Sequence, residues 1–66
     1  MDTSKIAARL VALRGSKTQV EVAKALGIGQ STYAMYESGK RIPTDEIKMK
    51  IAKYFNCTVQ EIFFLS

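Results

Sequence analysis

The sequence predicts an all-α fold, a compact domain of five helices. Apolar residues recur at three- and four-residue spacing along nearly the whole 66-residue chain. No segment alternates apolar and polar residues as a half-buried strand would. Polar caps and glycine stops divide the helical pattern into short pieces.

Each piece has its own logic. Ile6, Leu10 and Leu13 form the first stripe; Asp2, Thr3 or Ser4 can cap its start, and Gly15 suits its end. Thr18 opens the second helix with Glu21 three residues on, the spacing of a capping box. Val22, Ala23 and Leu26 face inward, Gly27 stops the helix in a left-handed turn, and Ile28 plugs the corner. The third helix starts near Gly29 or Gln30, carries Tyr33 and Tyr36 inward, and stops at Ser38-Gly39. The Tyr33 hydroxyl is expected to reach the rim of the domain. After the loop Lys40-Arg41-Ile42-Pro43, Thr44 can cap a fourth helix, with Asp45 and Glu46 at its positive end. Its stripe is Ile47, Ile51, Ala52 and Phe55. Thr58 and Glu61 make a second capping box for a last helix carrying Val59, Ile62 and Phe63.

Composition narrows the function. A domain of this size buries only about 60% of its unfolded surface, which leaves little core from which to carve an enzyme cleft. The chain carries no histidine and a single cysteine, Cys57. A His-based triad, a Cys/His zinc site and an internal disulfide are therefore excluded, and no metal or other cofactor is expected. Cys57 reads as a small residue at a helix junction. The acidic residues stand at helix starts or on outer faces, with no nucleophile–base pair among them. No apolar run approaches the ~20 residues of a membrane span, and the expected location is cytoplasmic. The net charge of +4 leans toward an acidic partner.

The centre of the chain carries the information. A short second helix, a three-residue turn and a third helix bring two backbones close together at Ala23. Gly27 sits four residues later, where the chain reverses, and Val22, Ile28, Tyr33 and Tyr36 hold the pair against the core. This is the pattern of a helix-turn-helix, over residues 18–38. It leaves a polar triplet, Gln30-Ser31-Thr32, at the front of the third helix.

Thr18-Gln19, Ala23, Leu26-Gly27-Ile28, Ser31-Thr32, Tyr36-Glu37, Gly39 and Pro43 together resemble the lambda-repressor-like, Cro/C1-type helix-turn-helix family, and the match runs from about Ile6 to Phe63. The resemblance implies a single lambda-repressor-like domain over 1–66, with the segment at about 29–38 as the recognition helix entering the major groove of double-stranded DNA. Gln30, Ser31, Thr32 and Met35 are then expected to contact bases. The Gln30 amide matches the N6 and N7 edge of adenine, and the Met35 chain could press on a thymine methyl. Lys17, Gln19, Ser38, Lys40 and Arg41 are expected to contact phosphates. Gln19 also braces Gln30, and the loop after the recognition helix offers amides and two cations. The resemblance further implies an arginine on the first helix paired with Glu37. Because the connection from Leu13 to Thr18 is shorter than the family pattern, Arg14, Arg9 and Arg41 all remain candidates.

One domain makes few base contacts, so a homodimer on a pseudo-palindromic operator is expected. The C-terminal helix, 58–65, is a candidate contact. A single helix face cannot bury Ile62, Phe63, Phe64 and Leu65 in one core. The expected function is that of a sequence-specific transcriptional regulator, most simply a repressor, with no small-molecule effector and no membrane partner. The alternative is a protein-interaction module of the same fold, an antitoxin or adaptor without DNA specificity of its own.

Overall fold

The computed structural model describes residues 2–64. Helices are the only regular elements among them: α1 (Thr3–Arg14), α2 (Gln19–Leu26), α3 (Gln30–Glu37), α4 (Asp45–Tyr54) and a C-terminal π-helix (Gln60–Phe64). The starts are chemical. Asp2 Oδ1 accepts from the amides of Ser4 at 3.0 Å and Lys5 at 3.3 Å. The Thr18 hydroxyl accepts from the Glu21 amide at 3.1 Å, and that of Thr44 from the Ile47 amide at 3.3 Å. Among the described residues the full reciprocal box forms only before the π-helix, where Thr58 Oγ1 accepts from Glu61 N at 3.1 Å and Glu61 Oε1 from Thr58 N at 3.0 Å. The start of α3 is different. Its cap is Gly29, which has no side chain to offer.

The ends of α2, α3 and α4 share one device. A residue with positive φ reverses the chain, and the next amide reaches back across the last turn. Gly27 (φ 73°) lets Ile28 N donate to Ala23 O at 3.0 Å, and Gly39 (φ 76°) lets Lys40 N donate to Met35 O at 3.0 Å. Asn56 (φ 56°) does the same for Cys57 N and Ala52 O at 2.9 Å. Gly39 has a second constraint: a Cβ there would stand 3.3 Å from the Thr3 carbonyl oxygen, so the end of α3 abuts the start of α1.

These locked ends set α2 and α3 against each other, with α1 packed on α3, α4 on α2, and the π-helix on α1. The core gathers Ile6, Leu10, Val22, Ala23, Leu26, Tyr33, Tyr36, Ile51, Ala52, Ile62 and Phe63. Ala23 is 1% exposed, at the crossing where the sequence called for a small residue.

Two expectations are corrected. Tyr33 does not reach the rim; it is fully buried, hydroxyl included, because position 33 faces the interior where α1 and α2 meet α3. Ile62 and Phe63, expected at a dimer surface, lie in this chain's own core at 1% and 3% exposure. The π-helical winding turns these two consecutive large residues inward together, and Arg9 Nη1 donates to the Ile62 carbonyl at 3.0 Å. Phe64 is left 57% exposed, and Leu65 lies outside the described residues. Lys48 also joins the interior. It is 7% exposed, its Nζ standing 5.6 Å from the Phe63 ring centre, 5.3 Å from that of Phe64, and 3.7 Å from Asp45 Oδ1.

Candidate nucleic-acid interface

Four side chains from α1, α2 and α3 meet at one edge of the molecule. Glu37, on the last turn of α3, has a side chain only 4% exposed. Arg14 Nε donates to its Oε2 at 2.7 Å, and Gln19 Nε2 donates to its Oε1 at 2.9 Å. Gln19 Oε1 in turn accepts from Gln30 Nε2 at 2.7 Å. The chain of bonds therefore runs Arg14–Glu37–Gln19–Gln30, from a half-buried cation to an exposed amide.

The partner of Glu37 is thus Arg14. The short connection after α1 makes this possible by turning tightly: Gly15 takes φ 57°, Lys17 N donates to Arg14 O at 3.1 Å, and Arg14 Nη1 donates to Lys17 O at 2.7 Å. One guanidinium holds both its own turn and the α3 carboxylate. Burial pushes the Glu37 carboxyl up, but the hydrogen bonds from Arg14 and Gln19, with the approach of the Tyr33 hydroxyl, outweigh it and hold the group below the usual glutamate range. Burial, with the carboxylate beside it, pushes the Tyr33 phenol well above its ordinary value, so it stays neutral. That hydroxyl sits next to Glu37 outside ordinary hydrogen-bond geometry.

Around this edge the expected contact residues are arranged as follows. Gln30 and Ser31 are exposed and Thr32 is half-buried at the front of α3, while Met35, one turn on from Ser31, is 43% exposed. Lys17 is exposed ahead of α2, whose first residue, Gln19, is half-buried. Ser38, Lys40 and Arg41 are exposed beyond α3.

One expectation about this loop is corrected. Its amides are not on offer: those of Ser38, Gly39, Lys40 and Arg41 donate to the carbonyls of Ala34, Tyr36, Met35 and Met35. The Ser38 hydroxyl proton is also engaged, on Met35 O at 3.1 Å. What the loop presents outward is the pair of cations. The free amides lie instead at the uncapped front of α3, where the helix dipole adds partial positive charge.

A second basic cluster, Lys24, Lys50 and Lys53, lines a groove with Gly27 and Tyr54 at the C-terminal ends of α2 and α4. Lys24 and Lys53 stand in the last turns of their helices, where a cation complements the negative end of the dipole. That accounts for two of the three. Among the described residues no group of acidic, Cys or His side chains could hold a metal, and no helix is long and apolar enough to cross a membrane.

Fold and edge together define a helix-turn-helix domain, and comparison with known proteins agrees. A family model described as "Helix-turn-helix" matches residues 7–62. The chain belongs to this family, the Cro/C1-type helix-turn-helix proteins, a DNA-binding class of transcriptional regulators and not of enzymes. An uncharacterised HTH-type transcriptional regulator of Methanocaldococcus jannaschii is 39% identical over 46 residues, covering 70% of each chain. The cryptic phage CTXphi transcriptional repressor RstR of Vibrio cholerae is 39% identical over 44 residues, 67% of this chain but only 40% of its own length. Among solved structures, the SOS-response transcriptional repressor LexA from Eubacterium rectale superposes with a TM-score of 0.83 at 28% identity, covering 92% of this chain and 69% of that one.

Proposed function

We propose that this protein is a sequence-specific transcriptional regulator, most simply a repressor, that reads double-stranded DNA through the major groove with the front of α3. The observation that carries the reading is the Gln19–Gln30 pair. It is costly to hold an exposed glutamine in one rotamer, and this one is held by a 2.7 Å bond to the neighbouring helix at the end of a relay anchored on the buried Glu37 carboxylate. Such bracing serves a side chain that must present a fixed edge. Gln30 and Ser31 would read base edges, with Thr32 and Met35 beside them, while Lys17, Gln19, Lys40 and Arg41 meet phosphates on either side. Ser38 would join the phosphate contacts only by exchanging its bond to Met35 O. The protein would act as a homodimer on half-sites roughly 34–36 Å apart, with the exposed Phe64 at the contact. The names of the related repressors support the regulatory direction.

The test is selection of bound sequences from a randomised duplex DNA pool by the wild type and by Gln30→Ala. The wild type should enrich an inverted repeat. Gln30→Ala should lose about 1–3 kcal/mol on that site and relax the preference at one base pair of each half-site. An unchanged preference would mean that Gln30 does not read a base.

A further inference from the structure

Glu37 is buried, charged and two side chains away from the surface that Gln30 presents, and the chemistry of each link fixes the next. A carboxylate accepts hydrogen bonds and cannot donate them. The Gln19 amide must therefore turn its Nε2 toward Glu37, as it does at 2.9 Å. That leaves Gln19 Oε1 facing Gln30, and an oxygen can only accept, so Gln30 must turn its own Nε2 inward, as it does at 2.7 Å. The outward end of Gln30 is then its carbonyl oxygen, with the second N–H beside it. Ordinarily either end of a glutamine amide can point outward at little cost; here the charge at the far end of the relay removes the choice.

We propose that Glu37 is a positioning residue for base selection: its carboxylate, acting through Gln19, sets which end of the Gln30 amide faces the DNA and so selects adenine over guanine at the base Gln30 reads. This rests on Gln30 being a base-reading side chain. Adenine offers a donor at N6 and an acceptor at N7, which suits an outward oxygen with an N–H beside it; guanine offers two acceptors, O6 and N7, which suit an outward NH₂. Arg14 makes the consequence specific. It donates and cannot accept. In a Glu37→Gln variant the guanidinium claims the single carbonyl oxygen of the new amide, and the new NH₂ faces Gln19. Gln19 must then present its oxygen inward and its nitrogen to Gln30, and Gln30 turns its own oxygen inward and its NH₂ out. One substitution that never touches DNA reverses the polarity of the whole relay.

The experiment compares wild type, Gln30→Ala, Glu37→Gln and Gln19→Leu by selection from the randomised duplex pool. Binding is then titrated on two duplexes that differ only by adenine or guanine at the position whose preference Gln30→Ala loses. The wild type should favour adenine. Glu37→Gln should shift the adenine-to-guanine affinity ratio toward guanine by about fivefold or more. Gln19→Leu, which leaves Arg14 to meet the Glu37 charge, cuts the relay and should bring the ratio close to one whatever its overall affinity. It carries the test alone if Glu37→Gln does not fold. A wild-type preference for guanine, or an adenine preference retained in full by the folded relay variants, overturns the proposal while leaving base reading by Gln30 intact. A Gln30→Ala variant that selects the wild-type sequence overturns base reading itself, and this inference with it.

Discussion

Glu37 has a side chain almost shut away from water, and a buried carboxylate is tolerated only when its charge is met. Arg14 meets it, and removing Arg14 leaves the charge stranded. Arg14→Ala should therefore destabilise the fold in chemical denaturation, with the loss moderated because the guanidinium is 22% exposed. The same pair predicts a pH dependence. The folded-state pKa of Glu37 lies below its ordinary value of 4.5, so its contribution is complete above that value and is lost as pH falls through the folded pKa. Wild type should lose stability below about pH 4.5 more steeply than Glu37→Gln; parallel curves would contradict the assignment. Tyr33 gives a prediction of opposite sign. Its hydroxyl is buried without a hydrogen bond, so Tyr33→Phe should be neutral or stabilising, and a loss above about 1 kcal/mol would reveal a bond to Glu37 in solution. At this scale the sequence was legible for Gln19, Gln30 and Ser31, whose place follows from helix spacing. It left the partner of Glu37 open because that depends on how Gly15 turns, and the depth of Tyr33 depends on three helices at once.

The helices were easier to read, because caps are local chemistry. Asp2, Thr18, Thr44 and the Thr58–Glu61 box all act where spacing placed them. The π-winding after Thr58 was not legible, since it answers to the packing of Ile62 and Phe63 rather than to local propensity. The burial of Lys48 was not read from the sequence, although positions 48, 51, 52 and 55 share one helix face. The uncapped start of α3 carries a prediction of its own. Gly29 has ordinary helix-entry angles, φ −73° and ψ 150°, and room for a Cβ. Gly29→Asp should add a cap worth a few tenths of a kcal/mol. It should at the same time weaken DNA binding, because it closes the free amides and sets a negative charge before the phosphates. A variant with better stability and unchanged affinity would place the DNA elsewhere.

At the scale of the molecule, the question is which surfaces remain once the core is filled. The tail read as too apolar for one core resolves into two inward residues and an exposed Phe64. Phe64→Ser should therefore leave the fold intact, convert a dimer to a monomer in sedimentation, and reduce affinity for an inverted repeat far more than for a single half-site. A wild type that is monomeric at the concentrations where it binds would contradict the dimer. Two groups of cations stand out: Lys17 ahead of α2 with Lys40 and Arg41 beyond α3, and Lys24, Lys50 and Lys53 lining the groove between α2 and α4. Charge alone cannot rank them; the braced Gln30 edge and the uncapped helix start favour the first.

The most direct measurement is an NMR titration of the labelled protein with duplex DNA, following backbone amides and the side-chain amides of Gln19 and Gln30. The largest shifts should fall at residues 17–19, 29–35 and 38–41, with the two glutamine side chains among them. Shifts concentrated at Lys24, Gly27, Lys50 and Lys53, with Gln30 unmoved, would contradict an interface at the front of α3.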